Sequence, residues 1–521
     1  MSHLDSLVEA GVAKRIWERD TTLWGDAPGI AECLGWLDLP QQTLQRIPQL
    51  RRLAEDALNS GRARSAVLGM GGSSMAAITM QRILAPNAPL TVLDTVHPHA
   101  LADVERSPAL EDTTFLVSSK SGTTAEPLSL ERHFRNLLGD RPDTARRFIA
   151  LSDAGTPLAR RGADRDQFAA WCETPADVGG RFSALCPFGI VPLLLMGIAP
   201  ETLWGPLEAM VAGCREEGGA NPGLALGAAL GNAAREGRDK CTLITSPSLA
   251  PFGLWCEQLL AESTGKQGRG VIPITGENLA QADPAQLSHD RHFVYLRLAG
   301  DRNAATDALW QRLQADGRGG NLLEMPAPEH LLAEFFRWEF ATAVIGHILA
   351  INPFDQPDVE AAKDLTRSLL ADPRSAALEP SHAALEPLLA ELPALVSRHR
   401  PSYIALLAYL PPSAPLDRAI AALRSGITAT TGLPTLFGYG PRYLHSTGQL
   451  LKGGRADVLA IGLADTRRQD PPLSGLGYSL ADLLEAQANA DLTVMARAGR
   501  AVATTRIAPP HAAAIERSIQ P

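Results

Sequence analysis

Short apolar, β-prone runs alternate along this chain with longer segments whose apolar residues recur at helical spacing. Ser65–Leu68, Leu90–Asp94, Thr113–Val117 and Arg147–Ser152 read as strands, with helices over Met75–Leu84 and Glu126–Leu138. A second set opens with a strand at Asp239–Thr245 and continues through a helix at Phe252–Ser263 and a strand at His292–Leu298. It ends in a long apolar helix, Glu329–Ala350, suited to a core or a subunit interface. A third set places strands at Tyr403–Tyr409, Val458–Gly462 and Ala501–Ile507, and helices at Leu416–Ser425 and Leu480–Ala498. Such alternation predicts parallel, doubly wound sheets with ligands beyond the strands' carboxyl ends. Residues 1–60 read as a helical wrap anchored by Trp17, Leu23, Trp24, Trp36 and Leu37. The proline- and alanine-rich stretch 370–395 marks a boundary, so the expected units are 1–60, 61–185, 186–369 and 370–521. There is no short-period repeat, and the two α/β units are compatible with remote structural duplication.

Composition narrows the class. A chain of 521 residues exceeds one ordinary core. Apolar content of 45% and charged content of 20% are those of a soluble globular protein. The net charge of −9 gives no reason to expect nucleic acid or a membrane surface as partner. No apolar run of membrane-spanning length is free of charges and prolines, and Met1–Asp5 does not open a signal peptide. The six cysteines (33, 172, 186, 214, 241 and 256) show neither CxxC nor Cys/His metal spacing, which predicts reduced thiols in a cytoplasmic protein.

Candidate chemistry gathers at turns. The strand ending at Val117 runs into Ser118-Ser119-Lys120-Ser121-Gly122-Thr123-Thr124, directly before a helix. Free N–H groups at a helix start attract anions, and the hydroxyls of Ser119, Ser121, Thr123 and Thr124 add donors for a phosphate. A Ser/Thr-capped βα turn with no ligand is the bland alternative. The turn Gly69–Ser74, with Gly72 and Ser73, falls at the same sheet edge and strengthens the phosphate reading. In Val178–Ser183 the pair Gly180 and Arg181 suits a backbone that touches ligand beneath a fixed cation; a solvated surface turn is the alternative. Gln258 and Glu262 share a helix face. Gly265 is a candidate helix C′ residue, which leaves Glu262 at the negative helix end as a candidate general base. A solvated glutamate is the commoner arrangement. Gln356 precedes a helix-initiating Pro357, and Lys363 is expected two turns along on the same side.

Taken together, five segments in order resemble phosphoglucose isomerase: Gly69–Ser74, Ser119–Glu126, Gly179–Ser183, Gln258–Lys266 and Asn352–Lys363. The chain is more similar still to the isomerase portion of bifunctional transaldolase/phosphoglucose isomerases, through Arg15–Leu37 and Tyr443–Gln449. The resemblance implies an α/β protein with two doubly wound parallel-sheet SIS domains, an N-terminal helical wrap and an additional C-terminal α/β segment. It implies a homodimer with shared active sites, no cofactor, and metal-independent interconversion of glucose 6-phosphate and fructose 6-phosphate through a cis-enediolate. Ser119, Lys120, Ser121 and Thr124 would hold the phosphate, with Gly72, Ser73 and Thr123 nearby. Gly180 and Arg181 would flank the reacting carbons, Glu262 would be the base, Gln258 would bind substrate, and Gln356 and a catalytic Lys363 would contact the sugar and assist ring opening. The family's ring-opening histidine, in a GQH segment, has no counterpart between Lys266 and Pro328. His445 is the expected substitute, against the alternative of a structural histidine. Leu451 stands where the bifunctional relatives lead one to expect a polar residue. A dual phosphoglucose/phosphomannose isomerase and a non-catalytic SIS-type sensor are the rival readings. A transaldolase barrel has no room before residue 60, so association with a separate transaldolase chain is the corresponding partner expectation.

Overall fold

Three parallel sheets organise the chain. The computed structural model describes residues 3–519 apart from 26, 107, 281, 373–377 and 467–469, so part of the expected 370–395 boundary lies outside the described residues. The first sheet contains β1 (Arg64–Gly69), β2 (Leu90–Leu93), β3 (Thr113–Ser118), β4 (Phe148–Asp153) and β5 (Ala170–Thr174), in the order β2-β1-β3-β4-β5. The second contains β6 (Lys240–Thr245), β7 (Ile272–Ile274), β8 (Arg291–Leu298) and β9 (Asn321–Met325), ordered β7-β6-β8-β9. The C-terminal α/β segment is a complete third sheet of β10 (Tyr403–Tyr409), β11 (Thr435–Tyr439), β12 (Val458–Asp465) and β13 (Ala501–Ile507), ordered β11-β10-β12-β13. All three share one plan: the second strand pairs on one side of the first and the third strand on the other.

That reversal creates a crevice between the first and third strands of each sheet, at their carboxyl ends. In the first sheet Gly69 pairs in register with Ser118, so the turns after β1 and β3 start side by side. Interior strands are apolar because helices cover both faces: β3 and β10 are buried at every residue.

The helix Leu331–Leu349 is buried along nearly its whole length, which assigns it to the core. The N-terminal segment packs on it, with Trp24 Nε1 donating to Ala343 O at 2.8 Å. Trp24 and Trp36 are buried; Trp17 is half-buried, stacks on Phe336 and donates to Cys214 O at 2.8 Å. The six cysteines are free thiols. Among the described residues no helix is long and apolar enough to cross a membrane.

Candidate active site

The turns after β1 and β3 form the floor of the site. Gly72 lies so close to the Gly179–Ser183 loop that a Cβ on it would sit 2.0 Å from Gly180 O, and Ser183 Oγ donates to Gly72 O at 3.1 Å. Gly71, at φ +56°, likewise leaves no room for a side chain against His445 and Gln258. Ser73 is buried in the same turn. Its hydroxyl accepts Met70 N–H at 3.0 Å and donates to Met70 O at 2.9 Å, closing its own turn.

In the turn after β3, Ser119 Oγ donates to Thr124 Oγ1 at 2.9 Å, and Ser121 Oγ lies 2.9 Å from Thr123 Oγ1. These bonds organise four hydroxyls ahead of the helix Ala125–Leu138. Among the described residues no acceptor takes the backbone N–H of Lys120 or Ser121, so donors remain for an anion. The Lys120 side chain corrects the sequence reading. Its ammonium is held by Asp153 and by the carbonyls of Pro175 (3.2 Å) and Ala176 (3.1 Å), so its three donors tie the turn to a neighbouring loop.

Opposite this floor stands a carboxylate beside a guanidinium. Glu262 Oε1 is 3.6 Å from Arg181 Nη1, and Glu262 Oε2 accepts Gln258 Nε2 at 3.1 Å. The same amide donates to His445 O at 2.9 Å, which leaves Gln258 Oε1 buried and without a protein partner. Arg181 is 2% exposed and almost fully engaged. Nε donates to Ser263 Oγ at 2.8 Å, Nη1 to Gln356 Oε1 at 2.6 Å, and Nη2 to Pro353 O at 2.6 Å and Asp355 O at 2.8 Å. Of its five N–H groups, the second on Nη1 is the one left facing Glu262. Burial lowers the proton affinity of Arg181, opposed by the charges of Glu262 and Asp355.

Gly265 corrects a second expectation. At φ −75° it is no left-handed C′ residue; it is required because Leu450 Cα would lie 2.4 Å from a Cβ there. Lys363 follows a 3₁₀ turn, Pro357–Val359, and falls in the first turn of the helix Glu360–Ala371 rather than two turns along. Its half-exposed ammonium pairs with Glu360 Oε1 at 2.6 Å, and its charge acts on His445.

His445 enters from the third sheet on a 3₁₀ turn, Arg442–His445. Its Nε2 meets Glu126 Oε1 at 2.8 Å, and Gln487 Nε2 donates to the same oxygen at 2.6 Å. Burial disfavours the imidazolium, but the charge and hydrogen bond of Glu126 prevail and His445 is raised above its ordinary value. Glu126 moves reciprocally: burial raises it, and His445, together with its own backbone N–H and the Gln487 amide, more than offsets this, so it is lowered. Replacing Glu126 by Gln therefore moves the deprotonation of His445 to lower pH, shifting an activity limb that needs the imidazolium in the same direction. Proton NMR titration of the histidine checks this; an unmoved titration would refute it. The loop is fixed from three sides. Arg442 Nη1 donates to Asp94 Oδ2 at 3.0 Å, Gln449 Nε2 to Gly265 O at 2.9 Å, and Tyr443 OH to the fully buried Asp491 at 2.7 Å. Leu451 is wholly buried, which explains an apolar residue there.

The sequence reading gave no role to Glu126, Ser263 or Lys266, although all three lie inside its motifs, and Gln487 carried no signal at all. Among the described residues no group of three or more His, Cys, Asp or Glu is arranged to hold a metal ion.

A hydroxyl-rich turn at the crevice of a doubly wound parallel sheet, facing a carboxylate–guanidinium pair, defines an α/β protein with an anion-binding candidate active site. The phosphoglucose isomerase family profile matches residues 59–210. A glucose-6-phosphate isomerase of Heliobacterium modesticaldum is 31% identical over 406 residues, 66% of this chain and 88% of that protein. One from Leptospira biflexa is 29% identical over 70% of this chain and 92% of that protein. Among solved structures, a glucose-6-phosphate isomerase from Chlamydia trachomatis superposes with TM-score 0.53 at 21% identity, covering 69% of this chain and 78% of that one. A hypothetical protein of Thermus thermophilus does so with TM-score 0.62 at 24% identity, covering 70% of this chain and 95% of that one. The chain belongs to the phosphoglucose isomerase family.

Proposed function

We propose that this chain interconverts D-glucose 6-phosphate and D-fructose 6-phosphate by proton transfer between C2 and C1. The observation that carries the reading is the approach of Glu262 to Arg181 at 3.6 Å, beside the His445–Glu126 pair and the Ser119–Thr124 turn. In this reading the turn takes the phosphate on the free N–H groups and the hydroxyls of Ser119, Ser121, Thr123 and Thr124. Ring opening needs a proton on the ring oxygen and loss of the O1 hydroxyl proton; His445 donates the first as the imidazolium that Glu126 favours and, once neutral, takes the second, while Lys363 at the rim adds positive charge. Glu262 removes the C2 proton of the open aldose, and the electron pair shifts into a cis-enediolate. The outward N–H of Arg181 meets the developing oxyanion, with its other donors held by the protein and needing no reorganisation. The O2 hydroxyl proton passes to O1, Glu262 returns its own proton to C1, and the ketose results. Gln258 Oε1 and Gln356 orient sugar hydroxyls.

A coupled assay from fructose 6-phosphate, with mannose 6-phosphate in parallel and with and without chelator, tests the reaction. We expect chelator-insensitive formation of glucose 6-phosphate; no conversion would favour a non-catalytic sensor, and turnover of mannose 6-phosphate a dual isomerase. A homodimer with shared active sites and association with a separate transaldolase chain are what the resemblance implies for partners. A cytoplasmic location accords with the six free thiols.

A further inference from the structure

Two buried cations converge on one loop. Residues Asn352–Gln356 join the core helix Leu331–Leu349 to the turn that leads to Lys363. Arg181 donates to Pro353 O, Asp355 O and Gln356 Oε1. From the other side Lys266 Nζ donates to Asn352 O at 2.6 Å, to Asp355 Oδ1 at 2.7 Å and to Asp355 O. All three ammonium donors of Lys266 are thus spent on the loop, and its side chain is only 3% exposed. The loop's far end is held as well: Asp358 N–H donates to Gln449 Oε1 at 3.0 Å, and Gln449 Nε2 returns a bond to Asp358 Oδ2 at 2.6 Å. Gln449 belongs to the helix that follows the His445 turn.

We infer that Lys266 is a positioning residue that latches Asn352–Gln356 across the site, holding Gln356 on Arg181 and Lys363 beside His445. This rests on the isomerase reading of the site. An ammonium is a costly way to cross-link a loop, because burial opposes its charge. Burial, with added repulsion from Arg181, lowers Lys266 to about 7, and Asp355 and Glu262 only partly compensate. A structural tie to carbonyls would be served as well by a neutral donor. A charge is useful where the loop's own carboxylate, Asp355, lies half in solvent and must be drawn inward. Closing the loop also shields the enediolate from water, so a loosened latch exposes the transferred proton to exchange.

The experiment uses full-length Lys266→Met and, in case that variant folds poorly, Asp355→Asn, which keeps the loop's shape and removes its charge. Hydrogen exchange of the 352–363 segment without substrate is read first. We expect at least about a tenfold faster exchange there, since Lys266→Met removes three donors and losing even one charge-assisted hydrogen bond is worth about that much, with β6 and β10 unchanged. Turnover of fructose 6-phosphate in D₂O is read second: kcat falls by a similar factor and deuterium incorporated per product rises. Unchanged exchange at 352–363 overturns the latch whatever the activity. Faster exchange with unaltered kcat and deuterium content makes Lys266 merely structural and overturns the positioning role. A wild-type chain that does not convert fructose 6-phosphate defeats the isomerase reading instead, and the exchange measurement still decides whether Lys266 holds the loop.

Discussion

Glu262→Gln is expected to reduce kcat for fructose 6-phosphate by about 10²–10⁴-fold, the range a positioned general base contributes, while sugar-phosphate affinity stays within a few-fold. Glutamine matches glutamate in size, so the 8%-exposed side chain is replaced without a cavity. The phosphate donors of the Ser119–Thr124 turn are untouched, because none of their hydrogen bonds runs through Glu262. Arg181 loses a carboxylate neighbour at 3.6 Å but keeps Ser263, Gln356, Pro353 and Asp355 as acceptors. Fold stability should therefore change little. Steady-state kinetics and calorimetric binding of fructose 6-phosphate to the variant separate the two effects. A variant turning over within tenfold of wild type would remove Glu262 from the role of base.

How much of this was legible in the sequence follows the burial of each element. Interior strands are covered on both faces: β10 is an unbroken apolar run and β3 carries an apolar Phe-Leu-Val centre, so both stand out from their surroundings. The four strands left unread (β5, β7, β9 and β11) are all edge strands. β9, Asn-Leu-Leu-Glu-Met, alternates half-exposed and exposed residues, and β7 has three residues, too few for a periodicity to register. The site divides on the same principle. Glu262, Arg181 and His445 were picked out by residue type and local motif, and the fold brings them together. The use of each donor was not legible, because hydrogen-bond partners are distant in sequence. The Lys120 ammonium is taken up by Asp153, Pro175 and Ala176, which leaves its backbone N–H as its donor for an anion, and Gln487 reaches Glu126 from a helix with no motif. Gly265 was read through the local rule for helix ends, whereas a tertiary contact with Leu450 demands it.

Arg181→Lys should behave differently from the change at Glu262, because in the proposed reaction this guanidinium joins catalysis to architecture. Lysine retains the charge but replaces a planar fork of five donors by a compact ammonium with three. One ammonium cannot reach Ser263 Oγ, Gln356 Oε1 and the carbonyls of Pro353 and Asp355 in the directions the fork serves. Abandoned acceptors in a buried site cost about 1–3 kcal/mol each, so the melting temperature should fall, as it should not for Glu262→Gln. Loss of the N–H aimed past Glu262 removes the donor for the enediolate oxygen, for which about 10²–10³-fold in kcat is expected from comparable oxyanion donors. The loop Asn352–Gln356 would then rest on Lys266 and, at its far end, on the Asp358–Gln449 pair, adding mobility at Gln356 and Lys363. Thermal unfolding and kcat measured on the same preparation test both halves. An Arg181→Lys chain that melts lower yet keeps its kcat within a few-fold would leave Arg181 as scaffold only. The enediolate would then need another partner, and Lys363, whose half-exposed charge already acts on His445, is the cation to test next.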